Sequence, residues 1–278
     1  MKSKRLRVLA LDVDDTLLHS DLSISRRTRS TIKQAEKDGA TVVLASSRIP
    51  DSLERYARLL GLDKYPGYLI CKNGALIMES DTGNIIHEAR LEVGTALMIC
   101  DLALAEDFPI QVFEDDIMYV SRKNEYTGED QRITGIRQVV VENFRDMVAE
   151  GCHNLVIAGD PSVLTHVRII IQNYMGKDIT VFTSRPYFLE IMPKGTDKGS
   201  ALAFISDILG VSAGEVMAIG DSMNDEAMIK WAGIGVALAN ADDNIKSIAD
   251  LVMDSTNDED GVAEVIEKYF IRSGVRNE

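Results

Sequence analysis

An apolar run that ends in three aspartates is the feature that most constrains how this chain can fold. Val8–Leu11 carries no polar side chain, which is typical of a strand covered on both faces in a parallel sheet. Asp12 and Asp14 follow two residues apart, so their side chains can project to the same side where the strand ends. Adjacent carboxylates repel unless a proton or a cation lies between them, and oxygen ligands suit a hard ion such as Mg²⁺. The alternative is a polar loop whose carboxylates face water.

Strands and helices alternate in the first and last parts of the chain. Apolar runs predict strands, and amphipathic segments that end at glycine predict the helices between them. The predicted strands are residues 40–45, 68–71, 216–219 and 234–238. The predicted helices are residues 27–38, 50–60, 198–209 and 261–270. This alternation is the signature of βαβ units in a parallel sheet.

The order of elements changes in the middle of the chain. Predicted strands there are residues 110–113, 117–120, 155–158 and 179–183, and predicted helices are residues 92–105, 142–149 and 162–174. Strands separated by so few residues favour antiparallel pairing and an α+β unit. We therefore predict an α/β protein with a Rossmann-like parallel sheet core formed by residues 1–83 and 189–278, and an inserted α+β domain formed by residues 84–188.

Composition restricts the partners of the chain. The formal net charge of -14 leaves no basic surplus to neutralise phosphates, so neither a nucleic acid nor an anionic membrane is an expected partner. Three cysteines, without metal-ligand spacing, indicate reduced thiols in a cytosol. No apolar stretch approaches the length needed to span a bilayer. We expect a cytoplasmic protein that is a monomer or a small homo-oligomer.

Polar groups of complementary type follow the ends of predicted strands. They are Asp12 and Asp14, Ser46 and Ser47, Asp221 with Asn224 and Asp225, and Asn240. In open parallel sheets, ligands bind outside the carboxyl ends of the strands, so these groups are expected to meet at one edge. A solvated loop can explain one such strand end, but it does not explain the recurrence. The sequence thus predicts a polar site assembled from distant segments.

Lys198 adds a cation to this predicted site. A cation in the first turn of a helix opposes the positive end of the helix dipole, so an anion is expected to compensate for it. A phosphoryl group together with nearby aspartates would do so, and the helix terminus itself attracts anions. The alternative is an exposed lysine that extends over the sheet edge.

These segments together resemble a known family. In chain order, Asp12-Val13-Asp14-Asp15-Thr16, Ser46, Lys198 and Gly220-Asp221-Ser222-Met223-Asn224-Asp225 are similar to the four motifs of the haloacid dehalogenase-like (HAD) phosphatases. The resemblance is closest to the Cof-type branch, which has a large cap inserted between the second and third motifs. It extends to Asn73-Gly74-Ala75, residues 235–241 and residues 259–263, and it covers nearly the whole chain. The branch usually carries glycine where Asp15 stands and threonine-glycine where Ser46 and Ser47 stand.

The resemblance implies a role for each matching residue. Asp12 would be the nucleophile that accepts the phosphoryl group, and Asp14 would protonate the leaving oxygen and then take a proton from water. Mg²⁺ would be held by Asp12, the backbone carbonyl of Asp14, Asp221 and, directly or indirectly, Asp225. The substrate-binding residues would be Ser46, Asn73, Gly74, Lys198 and Asn224, of which Ser46 and Lys198 also belong to the catalytic set. A substrate role for Arg48 is suggested as well.

The resemblance implies a magnesium-dependent phosphatase that acts on a small phosphorylated metabolite, such as a sugar phosphate, flavin mononucleotide or pyridoxal phosphate. The inserted domain would be a lid that excludes water and selects the leaving group. One alternative is a phosphomutase, which must return the phosphoryl group to its substrate instead of releasing phosphate. Another is a phosphoaspartate signalling module of the receiver type, although receivers are small single domains that lack both the insertion and the spacing of Asp12 and Asp14.

Overall fold

The structure is a computed structural model that describes residues 5–114 and 117–271. Its strands are β1 (Val8–Asp12), β2 (Thr41–Ala45), β3 (Tyr68–Cys71), β4 (Leu76–Glu79), β5 (Ile85–Glu88), β6 (Ile110–Glu114), β7 (Ile117–Val120), β8 (Arg137–Val140), β9 (Leu155–Ala158), β10 (Ile179–Arg185), β11 (Phe188–Pro193), β12 (Val216–Gly220), β13 (Ile234–Ala237) and β14 (Leu251–Val252). Its α-helices are α1 (Arg26–Lys37), α2 (Pro50–Leu60), α3 (Val93–Ala105), α4 (Glu125–Thr134), α5 (Phe144–Met147), α6 (Pro161–Met175), α7 (Lys198–Leu209), α8 (Glu226–Trp231), α9 (Asp243–Ile248) and α10 (Gly261–Tyr269).

β1 lies in the interior of an eight-stranded sheet with the order β14-β13-β12-β1-β2-β3-β4-β5. β1 runs parallel to both β12 and β2, whereas β4 returns antiparallel to β3. Alternate side chains of β1 enter two different hydrophobic clusters, with Leu9 and Leu11 in one and Val8 and Ala10 in the other. The predicted doubly covered strand and the predicted α/β fold class are therefore confirmed.

Helices cover both faces of this sheet. Residues of α1, α2 and α10, including Ile32, Leu53 and Val265, pack in the cluster that contains Leu9. Residues of α7 and α8, including Leu202 and Met228, pack in the cluster that contains Val8. Each helix is thus held by an apolar stripe, which is the usual way a surface helix is stabilised.

A second sheet has the order β10-β11-β9-β6-β7-β8. β6 pairs antiparallel with β7 and with β9, and only the pair of β7 and β8 among its described ladders is parallel. One face of this sheet packs on α3 and α6 through residues such as Ile99, Ile157 and Ile171. The predicted antiparallel pairing of residues 110–113 with residues 117–120 is confirmed, while Asp115 and Asp116 between them lie outside the described residues.

The chain divides into two compact units, residues 1–86 with 198–278 and residues 87–197. The sequence-based insertion ended at residue 188, whereas the structure includes β11 in the second sheet. The reason is pairing, because β11 forms antiparallel ladders with both β10 and β9. The elements β4, β5, α4, β8 and α9 were not predicted. α4 is a polar segment with a glycine at position 128, and such a segment carries little hydrophobic periodicity.

Local signals account for the predicted helix boundaries. The Ser25 hydroxyl accepts a hydrogen bond from the Thr28 amide at the start of α1, and Pro50 occupies the first turn of α2. Gly61 ends α2 in a left-handed conformation with φ of 84°. Within the described part of the chain, no helix is both long enough and apolar enough to cross a membrane.

Candidate active site

The carboxyl ends of neighbouring parallel strands bring the predicted site residues to one edge of the first sheet. Leu11 of β1 is the register partner of Ile219 in β12 and of Leu44 in β2, so these three strands end at the same level. Asp12 is opposite Ala45, the residue before Ser46. The segments that carry Asp12, Ser46 and Asp221 therefore leave the sheet side by side, as the sequence predicted.

Lys198 connects this edge to α7. Its ammonium donates hydrogen bonds of 2.6 Å to Asp12 Oδ1 and of 2.6 Å to Asp225 Oδ1. The lysine side chain is fully buried, as is that of Asp225, and Asp12 is only 4% exposed. The alternative of an exposed lysine is thus wrong. The anions expected to compensate for its charge at the start of this helix are two carboxylates.

Asp221 completes an acidic cluster that could hold a metal ion. One carboxylate oxygen from each of Asp12, Asp221 and Asp225 lies within 4.8 Å of the others. With all groups ionised, these carboxylates and the single ammonium of Lys198 carry a formal charge of about -2, which a divalent cation would neutralise. Oxygen donors in a buried cluster suit a hard cation, so the residues present fit Mg²⁺.

The two oxygens of Asp225 already have partners. Oδ1 accepts from Lys198, and Oδ2 accepts from the backbone amides of Asp221 at 3.0 Å and Ser222 at 3.1 Å. Gly220 makes this arrangement possible, because a Cβ at that position would lie 2.6 Å from the Asp225 carboxylate. Asp225 thus shapes the loop and holds Lys198, which leaves Asp12 and Asp221 as the better placed carboxylates for a cation.

Burial and mutual repulsion act on the ionisation of this cluster. Burial, followed by the charge of Asp225, raises the pKa of Asp12 to about 7 even though Lys198 opposes the shift. Burial and the charges of Asp12 and Asp225 also raise the pKa of Asp221 well above its usual value. Burial lowers the pKa of Lys198, but the two carboxylates outweigh it, so that pKa lies above its ordinary value. A cation at the cluster would favour the ionised carboxylates.

A second group of predicted residues is joined by hydrogen bonds near the ends of β2 and β3. The Asn73 amide N–H donates to the Ser46 carbonyl at 2.9 Å, and the Asn224 side chain donates to Asn73 Oδ1 at 3.0 Å. Asn73 is fully buried, and its Nδ2 has no hydrogen-bond partner among the described residues. A buried donor without a partner is costly, so this amide is suited to an incoming acceptor. The glycine predicted to bind substrate, Gly74, follows with φ of 101° and permits the turn.

The carboxylate of Asp14 lies outside the acidic cluster and is paired with Arg48. Arg48 Nε donates to Asp14 Oδ2 at 2.8 Å, and Nη2 donates to Asp14 Oδ1 at 2.6 Å. This two-point contact was not predicted, because the resemblance suggested a substrate role for Arg48. The sequence showed only that a basic residue, Arg48, follows Ser46 of the second motif by two positions.

Sequence reasoning also missed the residues that hold the first motif in shape. The Thr16 hydroxyl donates to Asp221 Oδ1 at 2.7 Å. The Asn240 side chain donates to the carbonyl of Asp15, a residue with φ of 59°, at 2.7 Å, and Asn257 donates to the carbonyl of Leu18 at 2.8 Å. Asn240 was recognised as a polar strand end, but its partner lies 225 positions away and could not be inferred.

The fold and the site together define a class of protein. This is an α/β protein that gathers carboxylates, a buried lysine, a hydroxyl and side-chain amides at the carboxyl edge of a parallel sheet. Residues 9–266 match the model of the haloacid dehalogenase-like hydrolases, and the chain belongs to this family. The predicted family membership is confirmed.

Individual relatives agree with the family match. The 5-amino-6-(5-phospho-D-ribitylamino)uracil phosphatase YcsE of Bacillus subtilis is 30% identical over 274 residues, covering 96% of each chain. The HMP-PP phosphatase of Enterobacter sp. is 29% identical over 242 residues, covering 84% of this chain and 85% of that protein. The crystal structure of a haloacid dehalogenase-like hydrolase from Bacteroides thetaiotaomicron has a TM-score of 0.84 and 30% identity, covering 96% of this chain and 100% of that one. The prediction of an enzyme of the HAD phosphatase type is thereby confirmed.

Proposed function

We propose that this enzyme is a magnesium-dependent phosphatase that hydrolyses a small phosphorylated metabolite through an aspartyl-phosphate on Asp12. The observation that carries the proposal is the position of Lys198, whose ammonium lies 2.6 Å from Asp12 in a buried cluster that includes Asp221. A nucleophilic carboxylate needs to be ionised and to approach a phosphate dianion, and both requirements call for local positive charge. The buried lysine supplies one such charge.

The cation would be held by Asp12 and Asp221, together with the backbone carbonyl of Asp14. When bound, Mg²⁺ neutralises carboxylate and phosphoryl oxygens and orients them. The hydroxyl of Thr16 keeps Asp221 in place, and Asp225 keeps Lys198 in place through the contacts described above. These two supporting residues act by orienting Asp221 and Lys198.

The reaction proceeds in two halves that share the same aspartates. Asp12 attacks phosphorus and forms the new P–O bond as the bond to the leaving oxygen breaks. The leaving oxygen keeps the electron pair of that bond and takes a proton from Asp14. Water then attacks the phosphorus of the aspartyl-phosphate and gives a proton to Asp14, while the bond between phosphorus and the Asp12 oxygen breaks. Phosphate is released and the Asp12 carboxylate is restored. The sum is ester plus water to alcohol plus phosphate, with no other reactant.

The remaining site residues hold the phosphoryl group. Ser46, Lys198 and the buried Asn73 amide offer donors to its oxygens, and charge stabilisation of this kind is the main requirement of phosphoryl transfer. Asn224 orients Asn73 through the hydrogen bond between their side chains. Gly74 lets the chain turn so that the amide of Asn73 stays at the sheet edge.

The class of substrate is supported by the relatives. YcsE is named for a phosphorylated ribityl-aminouracil and the Enterobacter enzyme for HMP-PP, both of which are small phosphorylated compounds. We propose that this chain also acts on a small phosphorylated metabolite. Its expected cytoplasmic location, the absence of nucleic acid or membrane partners and the lid role of residues 84–188 stay predictions.

The proposal is tested by phosphate release from a panel of phosphorylated metabolites with and without Mg²⁺. We expect release of inorganic phosphate that requires the cation, and no turnover by Asp12→Asn in a variant that still folds. Transfer of the phosphoryl group without net phosphate release would instead indicate a phosphomutase. Turnover of Asp12→Asn near that of the unmodified enzyme would remove Asp12 from the mechanism.

A further inference from the structure

We infer that Arg48 positions Asp14 for the second half of the reaction, the hydrolysis of the aspartyl-phosphate. This inference rests on the proposed function, in which Asp14 receives a proton from the attacking water. It gives Arg48 a task that differs from the substrate role suggested by the family resemblance. Arg48 acts through Asp14 and does not touch the phosphoryl group.

The first argument is the geometry of the pair. Both Asp14 oxygens accept from the guanidinium, at 2.8 Å and 2.6 Å, which is the two-point arrangement that fixes a carboxylate in orientation as well as in position. The planar fork faces the carboxylate and is occupied by it. An arginine whose task was to grasp a phosphoryl group would need the same fork.

The second argument is that Arg48 is itself held in place. Its Nη1 donates to the Ser52 hydroxyl at 2.8 Å, and its guanidinium lies over the Tyr56 ring, 5.3 Å from the centroid. Its backbone carbonyl accepts from the Lys72 amide at 2.9 Å. α2, which packs on one face of the first sheet, supplies both Ser52 and Tyr56. This helix therefore holds the guanidinium in place before any ligand binds.

The third argument is burial. The side chain of Arg48 is 6% exposed and that of Asp14 is 22% exposed, so this is not a solvated surface pair. A buried guanidinium is costly unless a carboxylate compensates for it. The contact therefore specifies where the carboxylate lies and is more than an accidental surface interaction.

The two-point contact fixes the orientation of the Asp14 carboxyl group, and in the proposed mechanism this group takes the proton of the attacking water. Asp14 acts as a base when water attacks the aspartyl-phosphate, and that step requires one. In the first half Asp14 acts as an acid, which matters less when the leaving group is a good one. Loss of Arg48 should therefore slow the second half more than the first. The steady-state signature is a fall in kcat at little change in kcat/KM.

The experiment uses the full chain with Mg²⁺ and p-nitrophenyl phosphate, whose leaving group needs little protonation. For Arg48→Met we expect kcat to fall by about ten- to a hundredfold, the loss typical of a displaced reacting group, while kcat/KM changes by less than about threefold. Intact mass spectrometry should then detect phosphorylated enzyme accumulating in the variant during turnover. Arg48→Lys retains the charge without the fork and should restore part of kcat.

Arg58→Met is the control, since Arg58 is an exposed arginine on α2, the helix that follows Arg48 in the chain, and it is paired only with Glu54 in the described contacts. It should leave both kinetic constants unchanged. Equal falls in kcat and kcat/KM for Arg48→Met at normal thermal stability would indicate an interaction made in the transition state of the first half and overturn the inference, as would unchanged kcat. Failure of the unmodified enzyme to release phosphate from any ester would instead contradict the proposed function itself.

The pairing can also be tested without turnover. The unfolding free energies of Arg48→Met, Asp14→Asn and the double variant form a thermodynamic cycle. We expect the double variant to be more stable than the sum of the single losses predicts, because each single change leaves one charged side chain of the pair without its partner. Additive losses would show that the two side chains are not paired in solution and would overturn the inference.

Discussion

Lys198 is the residue whose position in the sequence carried the most information about the site. A lysine at the first residue of α7 opposes the helix dipole, and it was expected to need anionic partners. The structure provides two, Asp12 and Asp225, in full burial. The ammonium separates two carboxylates that would otherwise repel each other at close range in a medium of low dielectric constant.

Removal of this charge should therefore affect stability as well as turnover. For Lys198→Met we expect loss of activity and a decrease in the free energy of unfolding of about 3–5 kcal/mol, the cost of leaving a buried charge without its partner. Lys230→Met is the control, because Lys230 is half exposed in a surface pair with Glu226 and should cost less than about 1 kcal/mol. Urea unfolding at neutral pH measures both, and equal losses would contradict the prediction.

The raised pKa of Asp12 predicts how the stability of the metal-free protein depends on pH. The ordinary value is 3.8 and the folded value is about 7, so between these values the folded state binds the proton more tightly than the unfolded state does. The protonated carboxyl group of Asp12 therefore stabilises the folded state at low pH, and this contribution is lost as pH rises through about 7. The shift of Asp221 has the same direction.

Urea unfolding of metal-free protein at about pH 5 and about pH 7.5 tests this sign. We expect lower stability at the higher pH, recovery when Mg²⁺ is added, and a weaker pH dependence in Asp12→Asn. A pH dependence identical in the variant and the unmodified protein would show that Asp12 is not the group responsible.

At the scale of elements, the close approach of α7 and α8 sets the position of Lys198. Gly199 is the second residue of α7, and a Cβ there would lie 2.6 Å from the backbone of Ala227 in α8. A side chain of any size would force the two helices apart. The start of α7, and with it the ammonium of Lys198, would move away from Asp12.

Gly199→Ala should consequently reduce both thermal stability and kcat, although glycine has no functional group. Overpacking of this kind costs about 1–3 kcal/mol. Gly94→Ala is a matched control, because Gly94 is the second residue of α3 and nothing lies within 4 Å of its added Cβ. That substitution should be neutral or stabilise by up to about 1 kcal/mol. A Gly199→Ala enzyme as stable and active as Gly94→Ala would contradict the packing argument.

At the scale of the whole molecule, each unit has its own hydrophobic core. Cys71 is buried in a cluster of the first unit, and Cys100 and Cys152 are buried in the cluster of the second. Two cores of this size are expected to melt as separate cooperative units. A thiol reagent reaches each cysteine only after the core that surrounds it has opened.

Variants that retain one cysteine, Cys71 or Cys152, should therefore become reactive at different urea concentrations. Thiol labelling followed by mass spectrometry gives the midpoint for each position. Binding of Mg²⁺ should shift the Cys71 midpoint upward, because ligand binding stabilises the unit that contains the acidic cluster. Coincident midpoints for the two positions, with and without Mg²⁺, would show that the molecule unfolds as one unit.

Much of the first unit was predictable from local signals. Apolar runs defined β1, β2, β3 and β12, and glycine and proline defined the limits of α2. The same patterns were weaker in residues 125–140, where α4 and β8 were missed because polar segments show little periodicity. Parallel topology then followed from the alternation of strands with helices, and it brought the predicted strand ends to one edge.

By itself, then, the sequence determined which strand ends carry chemistry, because burial pattern and residue type are properties of short segments. Only the tertiary structure decided which oxygen each donor contacts. Asp14 is paired with Arg48 across 34 positions, and Asp225 is occupied by Lys198 and two backbone amides. Side-chain partners of this kind depend on how loops pack against each other at distances of a few ångströms, and hydrophobic periodicity contains no information at that resolution.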